Sequence, residues 1–410
     1  MIKKISAILI ALTMSAMTFA SCSLKKDSSS SETESTVDTS SAAEDIDEET
    51  EEETTVEPSF IVDGKKIDTE NYVMCTIDGE DIDFDMFRYY YYYTLSTYTS
   101  TYGMTLDDIQ TTENGFQMFM EDVVTSIKQE MVAKKLAKEN GIELDEEDMK
   151  TIDEQIETAK SNYESTEAYL DDLKAAYLTE DLYREMLELA QLYTKVNDTL
   201  FTNEGKYATK KDEFREIVKD TSIYCREVHV MIPYFSQVEL DDSTAESYDS
   251  LSLSEKASAK QSAYSNLNDE QVEEAKEKAK QVAEEVLKKA KDGEDFNKLI
   301  EEYGWDIGLE DPTNGYYFNK DTTGFPESIV TGAFALEENE ISSEVITDST
   351  YGYFIIKRLP VELDYVNQNI DDMIYSYDTP ALSKLYQETM DAMTVTYCDN
   401  WDKIAADSIT

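Results

Sequence analysis

Histidine and cysteine side chains often serve as nucleophiles, general bases or zinc ligands, and this chain has very few of them. His229 is the only histidine among 410 residues, and the four cysteines (Cys22, Cys75, Cys225 and Cys398) form no CxxC pair. This composition argues against a zinc site made of cysteine and histidine. Any catalytic set of the Ser-His-Asp or Cys-His kind would have to use His229. Outside the cytoplasm, a disulfide between Cys75 and Cys398 is one option.

The elements around His229 follow a simple order. His229 lies in a predicted strand, Tyr224–Ile232, which ends at a proline. A capping sequence at Asn268–Gln271 starts an amphipathic helix, and a second, shorter helix covers Phe296–Tyr303. After a turn-rich segment, Tyr353–Lys357 predicts a last strand. This order predicts a small domain in which helices cover a sheet.

The half of the chain before Tyr224 does not follow this order of strand, helices and strand. Tyr72–Ile77 and Glu80–Ile82 predict two strands joined by the turn Asp78–Gly79. Gly115–Lys219 is predicted to be almost wholly helical. At the other end, Thr379–Tyr397 predicts a helix and a short strand that are too small to fold alone. We therefore expect this last segment to pack on the helical half.

Five consecutive tyrosines, Tyr89–Tyr93, occur in a predicted helix, Phe84–Tyr98. Five successive side chains cannot all face one side of a helix, so some must be partly exposed. Two interpretations stay open at this point. The run forms an aromatic surface for unfolded chains, or it belongs to the core and to contacts between helices.

The start of the chain has the pattern of an exported protein. Basic residues in Met1–Lys4 precede an apolar run, Ile5–Phe19, of signal-peptide length. Phe19–Cys22 resembles a bacterial lipobox, which implies removal of residues 1–21 and lipid on Cys22, on the outer face of a bacterial cell membrane. The alternative is an ordinary secretory peptide with a chance cysteine. Residues 22–58 are then an acidic tether too polar to fold.

The formal charge of −53 restricts the partners of the protein. Such a chain repels nucleic acid and anionic lipid, so neither is an expected ligand. The charge favours basic clients, or it only keeps the protein soluble. The sequence indicates no role for the Ser-rich insertion Gln237–Asn266, and its acidic residues argue against recognition of phosphorylated clients.

Several short segments in the second half resemble a parvulin-type peptidyl-prolyl isomerase domain. The resemblance covers Tyr224–Leu359. The matching pieces, in family order, are His229 in the first strand, Lys291–Phe296, Ala333–Leu336, Glu340–Val345 and Tyr351–Lys357.

Other parts of the chain are similar to the SurA/PrsA chaperone domain: the hairpin Met74–Ile82, the helix ending at Asn140–Gly141, and the C-terminal helix and strand. With the lipobox, the chain resembles a PrsA-type foldase lipoprotein. The resemblance implies an α+β fold. A mainly helical chaperone domain would comprise residues 59–222 and 362–410. Residues 223–361 would form an inserted parvulin-like α/β domain, an antiparallel sheet flanked by helices.

The resemblance also implies roles for individual residues. His229 and Asp306 take the catalytic positions, and no metal or cofactor is expected. Four apolar residues take client-binding positions: Phe325, Ile329, Phe334 and Phe354. Phe354 stands where the family has its second histidine, so a hydrogen-bonded pair of histidines is excluded. An alternative interpretation of His229 is a histidine kept for packing in its strand.

Three functions remain open from the sequence. The first is a folding factor that assists unfolded or partly folded exported polypeptides and isomerises X-Pro bonds. The second is a holdase chaperone with a degenerate isomerase domain. The third is an adhesin or solute-binding lipoprotein, although the sequence indicates no small-molecule pocket. The family resemblance is also compatible with a homodimer.

Overall fold

The computed structural model describes residues 57–202, 205–240, 248–309, 311–322 and 324–410. The predicted signal peptide, Cys22 and nearly all of the predicted tether lie outside these residues. The protein has an α+β fold, as predicted, and its described residues divide into two compact units. One unit combines the residues up to Leu200 with Ser383–Thr410, and the other comprises Phe201–Leu382.

The strands and helices are numbered in chain order. The strands are β1 (Phe60–Val62), β2 (Lys65–Ile67), β3 (Val73–Ile77), β4 (Glu80–Asp83), β5 (Tyr224–Ile232), β6 (Tyr316–Asn319), β7 (Ile346–Asp348), β8 (Gly352–Leu359) and β9 (Val395–Tyr397). The helices are α1 (Phe84–Tyr102), α2 (Leu106–Thr111), α3 (Gly115–Asn140), α4 (Glu146–Ser161), α5 (Thr166–Ala175), α6 (Glu180–Phe201), α7 (Lys211–Ile217), α8 (Leu253–Ser265), α9 (Asp269–Lys291), α10 (Phe296–Tyr303), α11 (Glu327–Phe334), α12 (Leu363–Gln368) and α13 (Ile370–Asp391).

The first unit contains the predicted hairpin, β3–β4. Asp78 and Gly79 have positive φ angles of 50° and 87°, which two-residue hairpin turns require. β9 pairs with the other side of β3, with Tyr397 opposite Cys75. The predicted packing of the C-terminal segment on an earlier part of the chain is thus confirmed, and the third strand stabilises a hairpin that would be marginal alone.

The tyrosine run on α1 is mostly core. The first three side chains of Tyr89–Tyr93 are buried and the other two are half-buried. The Tyr91 hydroxyl donates to the carbonyl of Ala406 at 2.9 Å, and the Tyr92 hydroxyl donates to that of Ile409 at 3.1 Å. The structure therefore favours the core interpretation, because three of the five side chains are buried and two of the hydroxyls bind backbone carbonyls of the same chain.

The second unit is built on one antiparallel sheet with the strand order β6-β5-β8-β7. β5 and α10 have the predicted bounds. The side chains of β5 alternate between the two faces of the sheet. Val228, Val230 and Ile232 pack with residues of α9 and α10 on one face. On the other face, Cys225 and Met231 pack with residues of α11.

A separate apolar cluster explains why the compact unit extends beyond the sheet. Phe214 and Val218, in and just after α7, pack with Tyr224 at the start of β5. Four residues of α12 and α13 complete this cluster: Val366, Ile370, Met373 and Ile374. These contacts hold α7, α12 and the first part of α13 in the second unit. The domain bounds 59–222, 223–361 and 362–410 remain predictions.

Cys75, Cys225 and Cys398 are free thiols, so the structure contains no bond between Cys75 and Cys398. Burial raises the pKa values of Cys75 and Cys225 to about 12. Among the described residues, no helix combines the length and the apolar character needed to cross a bilayer.

Candidate active site

The single histidine lies at the centre of the sheet of the second unit. His229 is on β5, which is flanked by β6 and β8, and it is opposite Ile356 in the register. Its side chain is only 2% exposed. Because β5 alternates, His229 lies on the same face as Cys225 and Met231, the face that α11 covers.

Two carboxylates bind the two ring nitrogens of His229. Glu227 lies two residues earlier on the same face of β5, and its Oε1 is 3.1 Å from Nδ1. On the other side of the ring, Oδ2 of Asp306 is 3.0 Å from Nε2. Glu227 is completely buried, whereas the Asp306 side chain is 18% exposed. Of the two carboxylates, Asp306 is therefore the one that solvent or a client can reach.

The carboxylates set the charge of the ring. Burial by itself would lower the pKa of His229, but the negative charge of Glu227 and the hydrogen bonds to Asp306 and Glu227 outweigh it and raise this pKa to about 10. The imidazole is therefore protonated at neutral pH. It donates one hydrogen bond to each carboxylate.

Asp306 is held by several donors in the loop after α10. The backbone N–H of Gly308 donates to Oδ1 at 2.8 Å, and the Tyr316 hydroxyl donates to Oδ2 at 2.8 Å. Burial alone would raise the pKa of Asp306, but the hydrogen bonds from His229, Tyr316 and Gly308 together with the His229 charge lower it. The backbone N–H of Trp305 donates to the carbonyl of Met231 on β5, which attaches this loop to the sheet.

Aromatic rings enclose the imidazole. Tyr316 of β6 is stacked on His229 with ring centroids 5.6 Å apart and an interplanar angle of 15°. Phe354 of β8 meets the same ring edge-on at 5.3 Å. Phe325 contacts Tyr316 edge-on at 5.0 Å and is half-buried. The accessible part of this arrangement is thus a partly exposed carboxylate beside half-buried aromatic rings.

The structure brings several of the predicted site residues together. Asp306 and Phe354 contact His229 directly. Phe325 contacts Tyr316, which is stacked on His229. Ile329 is buried in the apolar cluster on the same face of the sheet. The roles of these residues in binding or catalysis remain predictions.

Phe334, the remaining predicted residue, is partly buried and packs against the same apolar cluster. Its ring is 5.1 Å from the Lys320 ammonium and 5.5 Å from the Arg358 guanidinium. It lines a groove of about 480 Å³ together with Val330 and Phe325. Because Phe325 also contacts Tyr316, the groove adjoins the cluster around His229.

Sequence reasoning missed Glu227 and Tyr316. The only signal for Glu227 was its position two residues before His229 in a predicted strand, a spacing that places both side chains on one face. Tyr316 lay in a turn-rich segment for which no pairing was predicted. Its place beside His229 depends on the register in which Glu227 pairs with Tyr316.

The described side chains form no group of three or more His, Cys, Asp and Glu residues that could hold a metal ion.

Comparison with known proteins finds a similarity that covers part of the chain. Residues 246–360 match the model of the PPIC-type PPIase domain. This range includes Asp306, Tyr316, Phe325 and Phe354, and it begins after β5 and His229.

Three relatives illustrate the similarity of the chain. Foldase protein PrsA of Streptococcus sanguinis is 38% identical over 77 residues, which are 18% of this chain and 23% of that protein. Foldase protein PrsA of Clostridium kluyveri is 35% identical over 121 residues, 27% of this chain and 34% of that protein. A crystal structure of foldase protein PrsA from Streptococcus pneumoniae is 22% identical, covering 65% of this chain and 82% of that one with a TM-score of 0.29.

The matched segments span about a quarter to a third of the length of these two curated relatives. The predicted resemblance is confirmed: residues 246–360 match the PPIC-type PPIase domain, and the chain is similar to PrsA-type foldases.

Proposed function

We propose that the protein is a folding factor that isomerises X-Pro bonds in unfolded or partly folded exported polypeptides. One observation carries this proposal. Asp306 lies within hydrogen-bonding distance of His229 and Tyr316, beside half-buried aromatic rings, in a segment related to prolyl isomerase domains.

The reaction needs neither a nucleophile nor a cofactor. Amide resonance creates a rotation barrier of about 18–20 kcal/mol, and the planar amide carries partial negative charge on oxygen. Twisting the bond returns this charge toward nitrogen. A fixed carboxylate near the carbonyl oxygen repels the planar amide more than the twisted one, and poorly hydrated surroundings strengthen the effect.

In this proposal, the residues have distinct tasks. Asp306 faces the carbonyl of the X-Pro bond, and Phe325 supplies an apolar surface for the proline ring. His229 is buried, so it acts through Asp306 and does not touch the client. The groove lined by Phe325, Val330 and Phe334 accommodates a neighbouring apolar side chain of the client.

The test is refolding of a model protein whose slow phase is limited by prolyl isomerisation. We expect the protein to accelerate this phase and Asp306→Asn to lower kcat/KM by at least about tenfold, because the fixed negative charge is lost. Asp292→Asn is the matched control, since Asp292 is exposed at the end of α9. Equal activity of the two variants would contradict the assignment of Asp306.

The holdase is the second candidate, favoured by Phe354 at the position of the family's second histidine and by the burial of His229. It predicts that the protein suppresses aggregation of an unfolded client without changing the proline-limited phase. Measuring both effects on the same preparation separates the two functions.

Lipid attachment and export are further parts of the proposal, supported by the sequence pattern that ends at Cys22. Lipid on Cys22 would hold the protein on the outer face of the cell membrane. Mass spectrometry of the N-terminal peptide should find an acylated Cys22, and Cys22→Ala should release the protein from the membrane fraction. The homodimer that the family resemblance allows is tested by measuring the mass of the particle in solution.

A further inference from the structure

Glu227 is the most deeply buried charged side chain at the proposed site. Its exposed fraction is 0%, and it lies in the central part of the sheet between β6 and β8. Burying an unpaired carboxylate costs several kcal/mol, so an ionised Glu227 requires a positively charged partner close by. Neither the sequence resemblance nor the domain match assigns a role to this residue.

The partner is the imidazole of His229. Nδ1 of this ring is 3.1 Å from one carboxylate oxygen of Glu227 and 3.3 Å from the other. Nε2, on the opposite side of the ring, is bound to Asp306 at 3.0 Å. A ring that donates from both nitrogens is an imidazolium, so the three side chains form a line of negative, positive and negative charge.

The two carboxylates differ in their exposure to solvent and therefore to a client. Glu227 is enclosed and contacts the imidazole, whereas Asp306 is partly exposed and receives further hydrogen bonds from Tyr316 and Gly308. A change at Glu227 would therefore affect a client only through His229 and Asp306.

Resting on the isomerase function proposed above, we propose that Glu227 is a positioning residue: its carboxylate keeps His229 as a double donor, which fixes Asp306 as an anion facing the X-Pro bond. No second imidazole can do this, since the chain contains one histidine. Glu227 thus supplies the inner partner that orients the ring and stabilises its charge.

The charged and titratable groups that face His229 are known from each element around it. Glu227 comes from β5, Asp306 from the loop after α10 and Tyr316 from β6. β8 contributes Phe354, which does not titrate, and Arg358, which lies opposite Glu227 in the register and whose guanidinium donates to backbone carbonyls. The titratable residue of α11, which covers this face, is Glu327 at its exposed first position. Replacing Glu227 by a neutral residue therefore removes one of the two negative charges that keep the ring protonated.

Glu227→Gln in the full chain tests the proposal by its pH dependence. Glutamine keeps the shape but not the charge, so His229 should lose its proton at a lower pH than in the wild type. We expect kcat/KM for proline-limited refolding to fall at least about tenfold below wild type at about pH 8 and to recover to within about threefold at about pH 6. The wild type should show no such dependence in this range.

Two further variants distinguish loss of the Glu227 charge from a purely structural effect. Glu227→Asp retains the charge, so its activity should be independent of pH over the same range even if its level is lower. Glu294→Gln is the matched control at an exposed glutamate after α9 and should behave as the wild type. A purely structural role of Glu227 would affect the Asp and Gln variants at all pH values alike, and that result would overturn the proposal.

The wild-type protein provides a measurement that needs no variant. His229 is the only histidine, so ¹⁵N NMR of the imidazole gives one assigned pair of ring signals. We expect both nitrogens to be protonated at about pH 8, well above the ordinary histidine range. A neutral ring at that pH would overturn the proposal even if Glu227→Gln failed to fold.

The two proposals fail in distinguishable ways. A wild-type protein that does not accelerate the proline-limited phase removes the isomerase function and, with it, the role of Glu227. Acceleration by the wild type with an unchanged pH profile in Glu227→Gln removes only the role of Glu227.

Discussion

At the scale of single residues, the site consists of one buried imidazole bound by two carboxylates. The His229 ring lies between Glu227 and Asp306, with one ring nitrogen bound to each. Asp306, which alone of the three is partly exposed, is held by three donors. The site therefore presents a fixed negative charge whose supporting groups lie beneath the surface.

The raised pKa of His229 predicts how stability depends on pH. The ring has a pKa of about 10 in the folded protein and about 6.5 when unfolded, so its contribution is complete below about pH 6.5 and is lost as the pH rises toward 10. Between about pH 7 and pH 8.5, the free energy of unfolding should fall by about 1.4 kcal/mol per pH unit. Urea unfolding at several pH values measures this slope.

The double variant His229→Gln/Glu227→Gln is the control for this slope, because it removes the only histidine together with the buried carboxylate that would lose its charged partner, and it should leave the unfolding free energy nearly constant in the same range. The pH range of this measurement should not extend above about 8.5. Burial raises the pKa values of Cys75 and Cys225 to about 12, so these thiols would add their own pH dependence above the usual thiol range. A flat profile for the wild type would contradict the protonated state of His229.

At the scale of elements, the approach of β6 to β5 depends on a glycine. Gly315, directly before β6, has a φ angle of 67°, and a Cβ atom there would lie 2.5 Å from the carbonyl oxygen of Glu227. Only glycine permits both this φ angle and this close approach at low cost. The contact starts the pairing that places Tyr316 on His229.

Gly315→Ala should therefore destabilise the second unit by more than about 3 kcal/mol, since a left-handed conformation and a clash with backbone act together. Gly293→Ala is the matched variant: Gly293 also has a positive φ angle, of 93°, but a Cβ atom there would meet nothing within 4 Å. We expect it to cost only about 1 kcal/mol. Chemical denaturation compares the two, and similar losses would show that close approach at Gly315 is unimportant.

At the scale of the whole molecule, distant parts of the chain build the first unit together. The backbone groups of Ser59 and Thr410 form two mutual hydrogen bonds, and the N–H of Ile61 donates to the carbonyl of Ser408. Phe60 and Ile409 face each other in an antiparallel bridge. The helical unit therefore depends on residues that are as much as 351 positions apart in the sequence.

Ile409→Ala tests this dependence. Ile409 is 2% exposed, so its truncation should lower the stability of the first unit by about 2–4 kcal/mol through lost burial and a cavity. Ile61→Ala on β1 is the control, because this side chain is 38% exposed and should cost less than about 1 kcal/mol. Hydrogen exchange of the amides in β1 reports the loss, and equal protection in the two variants would contradict the prediction.

The sequence by itself determined the elements whose signals are local. The turn Asp78–Gly79, the strand Tyr224–Ile232 and the helix Phe296–Tyr303 were each predicted and are each present. Turn chemistry, apolar periodicity and capping act over a few neighbouring residues, so one chain suffices to detect them. The family resemblance likewise depended on short segments in a fixed order.

Only the tertiary structure decided which side chains meet. Glu227 and Tyr316 became site residues because strand register places them against His229, and the sequence signal for register was too weak to predict it. The hydroxyls of Tyr91 and Tyr92 in the tyrosine run donate to the carbonyls of Ala406 and Ile409, more than 300 positions later. Contacts of this kind involve long-range packing and desolvation, which no local pattern in the sequence specifies.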